Sequence, residues 1–270
     1  MLIETLSTFP HMYDSVMGES MMKRAQEKGI LEFRAHDLRD WTHDRHRTTD
    51  DDPYGGGAGL VMKCDPIFEA VEAILGKEFV EAKLAAAPPQ ADSQQAPQIV
   101  FLAPQGRPFD DAYADKLAAA DHLLFICGHY EGIDERVYTL ADHVISLGDY
   151  VLTSGELASM VVIDAAVRKL PGVLGAAEGP VDESFTSGLL EYPQYTRPAD
   201  FRGMAVPELL TSGNHAAIAR WRREQSLART AAARPDLIAA AEAAGRLTPA
   251  DQKFLKLLEP APTGAAEGVS

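Results

Sequence analysis

Two short runs carry the residues best suited to chemistry. The first is Cys127-Gly128-His129-Tyr130-Glu131-Gly132-Ile133-Asp134-Glu135-Arg136; the second is Ser146-Leu147-Gly148-Asp149-Tyr150-Val151-Leu152-Thr153-Ser154-Gly155-Glu156. Each follows an apolar, strand-like stretch and interleaves glycines with acidic and aromatic residues. A residue without Cβ lets backbone approach a ligand closely, and strand ends are where ligands collect in α/β folds. Two such turns within about 30 residues predict one small-molecule site built largely from main chain. A third run, Asp44-Arg45-His46-Arg47 with the loop Gly55–Gly59, has the residue types of a phosphate cradle or a metal site. No Gly-Lys-Ser/Thr follows it, which excludes a P-loop. Cys64 and Cys127, the two cysteines, sit at no metal-ligand spacing, which speaks against zinc.

The elements that must position these runs alternate. Strand-like stretches fall at Leu2–Leu6, Leu31–Ala35, Gly59–Met62, Ile99–Leu102, Leu123–Cys127 and Val144–Leu147. Helix-like stretches fall at Met12–Lys28, Asp65–Leu84 and Phe109–Ala119, with Asp65-Pro66 as a capping start signal. This alternation predicts an α/β fold, a mostly parallel sheet with helices on both faces. The helix after Gly155 is apolar nearly all round, which predicts burial on several sides and contact with a second subunit.

Composition narrows the class. The chain has 270 residues, enough for one large or two ordinary domains. No apolar run reaches the roughly 18 residues of a membrane span, and the start of the chain reads as no secretion signal. Two cysteines form no disulfide framework and fit a reducing cytoplasm. A formal net charge of −15 argues against whole-surface binding to nucleic acid. Yet Arg197, Arg202, Arg220, Arg222, Arg223, Arg229 and Arg234 cluster against only Asp200, Glu208 and Glu224, leaving open a local basic face or arginines paired for solubility. Residues 85–97 read as a surface insertion, and the stretch after Gly175 as a linker. Leu189–Leu258 reads as a small helical domain, and residues 259–270 as a disordered tail.

The second glycine turn resembles Ser-Ile-Gly-Asp-Tyr-Val-Leu-Ser-Gly-Gly-Glu. With the first, it is similar to the cofactor loops of bacterial tRNA (guanine-N1)-methyltransferases, the TrmD type of the SPOUT class. Further ordered matches are Thr42-His43-Asp44-Arg45-His46-Arg47, Pro53-Tyr54-Gly55-Gly56-Gly57-Ala58-Gly59 and Pro104-Gln105-Gly106-Arg107. Pro171-Gly172-Val173-Leu174-Gly175, Tyr195-Thr196-Arg197-Pro198 and Ser212-Gly213-Asn214-His215 complete them. The resemblance implies a SPOUT cofactor and dimerisation domain over 1–175 with a C-terminal trefoil knot. A flexible catalytic linker over 176–188 and an all-α tRNA-binding domain over 189–258 would follow. It implies S-adenosyl-L-methionine held by Pro104, Gly128, Glu131, Leu147, Gly148, Asp149, Tyr150, Val151, Leu152 and Gly155. The segment around residues 44–59 becomes RNA-facing on this reading, with a loop of internal salt bridges as the alternative.

The implied reaction is methyl transfer to N1 of the guanosine just 3′ of the anticodon (position 37) in tRNA, by a cytoplasmic homodimer whose active site lies between subunits. N1 carries a proton and is a poor nucleophile until that proton leaves, so a carboxylate is needed as general base. The family has an aspartate immediately before Ser-Phe; here Glu183 precedes Ser184-Phe185, with Asp182 as the alternative base. The matching arginine for the developing O6 charge is Arg168, which a helical pairing with Asp164 could also explain. Ser154 replaces a family glycine. Mg²⁺ assistance is possible and is not readable from the sequence. The competing readings are a SPOUT enzyme for another RNA position or a ribose hydroxyl, and a silent RNA-binding module.

Overall fold

The computed structural model describes residues 1–85, 96–174 and 183–258. The chain divides into two compact units, Met1–Gly179 and Pro180–Ser270. Asp182, most of the 85–97 insertion and the tail from residue 259 lie outside the described residues.

The first unit is built on a five-stranded, wholly parallel sheet. Its strands are β1 (Leu2–Ser7), β2 (Glu32–Asp37), β3 (Gln98–Pro108), β4 (His122–Ile126) and β5 (His143–Ser146), in the order β2-β1-β4-β3-β5. Both faces are apolar, as a covered parallel sheet requires. Leu123 and Phe125 point into one core with Ile3, while Leu124 and Ile126 point into the other with Leu6. The first core is filled by α1 (Ser20–Glu27), α4 (Asp111–Ala118) and α5 (Gly155–Val167); the second by α2 (Cys64–Leu75) and α3 (Lys77–Ala85). Period-two burial along β4 thus fixes which helices cover which face.

Several boundaries differ from expectation, each for a local reason. The stretch Met12–Lys28 is not one helix: a 3-10 turn (Pro10–Tyr13) and a four-residue helix (Asp14–Met17) precede α1, and the break falls at Gly18. Asp65–Leu84 is two helices, parted by Gly76 at φ +95, where a side chain would be strained. The cap of α2 is Lys63, not Asp65; Asp65 lies in the first turn, where its charge complements the helix dipole. Gly59–Met62 contributes only Val61–Met62, which pairs antiparallel with Asp50–Asp51 outside the main sheet. β3 runs well past Leu102, but its register against β5 jumps between Leu102 and Arg107, so residues 103–106 bulge out. Gly106 makes that bulge possible, because a Cβ there would lie 2.5 Å from the Ile145 backbone.

The second unit packs α6 (His215–Ala233), α7 (Pro235–Ala243) and α8 (Pro249–Leu258) around Leu189, Leu227, Ala241 and Leu247. It is not purely helical, because Asp200–Phe201 and Met204–Ala205 form a hairpin. Arg202 and Gly203 turn it with φ of 56° and 80°, and the Gly203 N–H donates to Asp200 Oδ1 at 3.0 Å. Two-residue strands are too short to leave an alternating pattern in sequence.

Candidate active site

The two glycine turns converge at the carboxyl ends of β4 and β5, and the bulge of β3 joins them. Together they enclose a cleft of about 320 Å³. Pro104, Gly128, Glu131, Leu147, Gly148, Tyr150, Val151, Leu152 and Gly155 all line it; Asp149 does not. The floor is bare main chain. The Gly155 N–H donates to the Gly128 carbonyl at 2.8 Å, and a Cβ on Gly155 would lie 2.7 Å from the Gly128 nitrogen. Gly148 holds φ +152, and a Cβ there would press on the Tyr150 ring. Tyr150 and Leu152 stand exposed as apolar walls.

The lining is acidic. Glu131 and Glu135 contribute carboxylates, and among the described residues no lysine or arginine faces the cleft. That charge suits a cationic ligand and opposes a phosphate. The Glu131 loop is itself pinned: the Glu131 N–H donates to the Leu60 carbonyl at 3.1 Å, and Met62 N–H to Gly132 at 2.9 Å. This pairing carries the Gly55–Gly59 loop to the cleft, with the Glu131 side chain packed on Gly59.

Below the floor lies a polar layer that the sequence did not single out. Glu156, in the first turn of α5, is fully buried; it accepts a hydrogen bond from Ser7 Oγ at the end of β1 and meets His129 Nε2 at 2.7 Å. Burial raises the Glu156 carboxyl, but His129 and Ser7 outweigh that and hold it below the usual range. Beside it, Tyr13 Oη contacts Ser159 Oγ at 2.6 Å and Cys127 Sγ at 3.1 Å. Burial pushes the Cys127 thiol up to about 12. Glu156 and His129 were visible within the two runs. Only their strand-end positions hinted at a joint role.

Arg168 caps the C-terminal end of α5, half-buried, with its N–H donating to the Asp164 carbonyl at 3.2 Å. Glu183 belongs to the second unit and stands just before a pinned turn. Phe185 sits at φ 76° and donates its N–H to the Leu189 carbonyl at 2.8 Å, while Ser184 Oγ accepts from Glu191 at 2.9 Å. Leu190 then ties to α6, its N–H donating to Thr230 Oγ1 at 2.9 Å. The segment after Trp41 shows the internal pairing: Arg47 with Asp40, His43 with Glu69, and Asp44 accepting from the Thr48 and His46 amides. Ser154, in place of the family glycine, has an extended φ of −157° that any residue adopts. Among the described residues no cluster of His, Cys, Asp and Glu is arranged to hold a metal ion, and no helix is long and apolar enough to cross a membrane.

Comparison with known proteins agrees with this geometry. A family model described as tRNA (Guanine-1)-methyltransferase TrmD matches residues 1–240. A tRNA (guanine-N(1)-)-methyltransferase of Symbiobacterium thermophilum is 52% identical over 256 residues, 95% of this chain and 97% of its own. One of Limosilactobacillus reuteri is 52% identical over 242 residues, 90% of this chain and 91% of its own. One of Geotalea uraniireducens is 49% identical over 260 residues, covering 96% and 97%. The chain, with its glycine-floored cleft at the ends of β4 and β5, belongs to the TrmD family of tRNA (guanine-1)-methyltransferases.

Proposed function

We propose that the protein transfers a methyl group from S-adenosyl-L-methionine to N1 of the guanosine immediately 3′ of the anticodon in tRNA. The observation that carries this reading is the acidic, main-chain-floored cleft, in a chain whose relatives are named tRNA (guanine-N(1)-)-methyltransferases. Pro104, Gly128, Glu131, Leu147 to Leu152 and Gly155 would hold the methyl donor. Backbone amides and carbonyls suit its adenine edge, Tyr150 and Leu152 its apolar contacts, and Glu131 with Glu135 its positive charge. When bound, the donor supplies a methyl group on a sulfonium.

The chain's own residues prepare the acceptor. Glu183 takes the N1 proton, which turns a poor nucleophile into a competent one. Arg168 stabilises the negative charge that then gathers on O6, a task suited to a planar guanidinium. Asp182 is the alternative base. Glutamate in place of the family aspartate keeps the charge and adds one methylene. The segment carrying Glu183 would close over the target base.

We further infer a trefoil knot, a cytoplasmic homodimer with its active site at the subunit interface, and a tRNA-binding role for residues 189–258. The knot reading is supported by the return of the chain after β5 to pack Gly155 on the Cys127–Gly128 backbone. The dimer reading is supported by Leu157 and Val161, one turn apart on α5, which are 46% and 55% exposed, and by Met12 and Val16 on the adjoining segment. Two free thiols support the reducing compartment. The experiment is methyl transfer from labelled donor to tRNA transcripts that differ only at that guanosine. Transfer must vanish when the guanosine is replaced; equal transfer to both transcripts overturns the reading.

A further inference from the structure

The second unit holds a cavity of about 580 Å³ whose chemistry is opposite to that of the methyl-donor cleft. Its wall carries Tyr192, Tyr195 and Trp221, with Arg197, Arg222 and His215, and among the described residues no aspartate or glutamate. On a chain with a net charge of −15, that is a local reversal of sign. Other arginines nearby are neutralised: Arg220 by Glu224, Arg223 by Asp251 and Arg234 by Asp236. Arg197 and Arg222 meet no carboxylate among the described residues. Arg222 instead lies over the Tyr192 ring, its guanidinium carbon 4.7 Å from the centroid. The Tyr195 and Trp221 rings lie 6.4 Å apart, tilted at 49°, with Tyr195 49% exposed. Thr196, Gln194 and Thr211 add hydrogen-bonding groups around the rings.

Exposed aromatic faces beside unpaired guanidiniums are what a single unstacked nucleobase and its phosphate require. We infer that the Tyr195–Trp221–Arg222 cavity seats one unstacked base of the RNA substrate, with the adjoining phosphate held by Arg197 and Arg222. The inference rests on the tRNA reading above and adds a defined nucleotide site to it, separate from the methylated guanine.

Trp41 and Trp221 are the two tryptophans, so a full-length Trp41→Phe protein reports on the cavity alone by fluorescence. The single-stranded adenosine pentanucleotide should quench Trp221 saturably, while an abasic pentanucleotide of equal charge should not. Tyr195→Ala should weaken binding about tenfold and Tyr195→Phe should restore it. Arg222→Gln should also weaken it and lower the salt dependence by about one phosphate contact, which Tyr195→Ala should leave alone. Equal quenching by the abasic strand, or unchanged binding in Tyr195→Ala, overturns the inference. With tRNA, Tyr195→Ala should raise KM about tenfold and leave kcat within about twofold. Unchanged KM with methyl transfer intact sinks the cavity alone. Absent methyl transfer in the unmodified enzyme sinks the parent reading, and the pentanucleotide comparison still decides the cavity.

Discussion

His129 Nε2 lies 2.7 Å from Glu156 Oε2, which joins the tip of the first glycine turn to the helix that begins where the second ends. The two atoms are in close polar contact without an aligned hydrogen bond between them. Ser7 Oγ, 149 residues away in sequence, holds the other carboxylate oxygen. Three strand ends are therefore tied through one fully buried side chain. Such a carboxylate positions the cleft loops from below and is itself no part of the cleft wall.

Glu156→Ala should cost about 3 kcal/mol, because it strands the His129 ring and the Ser7 hydroxyl in a dry site. Glu156→Gln keeps the shape and should cost less, yet weaken binding of the methyl donor by loosening the His129 loop. Denaturant titration and calorimetric binding measure the two effects. The sign with pH follows from the lowered carboxyl. Its contribution is present above the unfolded value, near 4.5, and is lost as pH falls through the folded one. Equal stability of wild type and Glu156→Ala would remove the role assigned here.

Gly155→Ala and Gly106→Ala should each cost about 3 kcal/mol, since the added Cβ meets backbone that cannot rotate away. The distances are 2.7 Å to the Gly128 nitrogen and 2.5 Å to the Ile145 backbone. Gly132→Ala is the control: φ is +134° with open space around it, so only backbone strain of about 1 kcal/mol should follow. Thermal denaturation should place Gly155→Ala and Gly106→Ala alike and both below Gly132→Ala.

If Glu183 is the base proposed above, Glu183→Gln should lower kcat by about 10²–10⁴ while leaving methyl-donor affinity unchanged, because Glu183 is no part of the cleft wall. Arg168→Ala should lower kcat by about 10²–10³, with Arg168→Lys recovering only part, since an ammonium lacks the planar fork. Single-turnover methylation separates these from binding. Full activity in Glu183→Gln would move the base to Asp182 or elsewhere.

The glycine turns were legible in sequence because glycine, acid and aromatic residues mark close backbone approach wherever they end a strand. The parallel sheet was legible too, since Leu123 to Cys127 reads as a strand buried on both faces. What stayed hidden depends on contacts far apart in the chain. Nothing around Ser7 announces a bond to Glu156, and the register jump between Leu102 and Arg107 has no periodic signature. Gly76 and Gly18 split helices that apolar spacing alone would have run together. The cavity of the second unit escaped for a related reason. Its arginines look alike in sequence, and only the fold sorts the paired Arg220, Arg223 and Arg234 from Arg197 and Arg222.

Acid should unfold the first unit earlier than its carboxylates alone require, because His143 is held neutral inside it. The ring is 2% exposed, with Nδ1 2.9 Å from Tyr113 Oη and Nε2 2.8 Å from Gln98 Oε1. Burial first, then the Lys116 charge, lowers its pKa to about 4. An unfolded histidine takes up its proton near pH 6.5. Between those values the unfolded chain holds one more proton than the native one at this site, so the His143 contribution to stability falls as pH drops from about 6.5 to about 4 and then levels off. The loss over that window should be about 3 kcal/mol. His143→Gln starts from a lower stability at pH 7 but removes the titrating group, so its decline should be shallower by that amount. Urea denaturation of both proteins at several pH values across the window decides it. Parallel declines would mean that His143 protonates alike in the folded and unfolded chain.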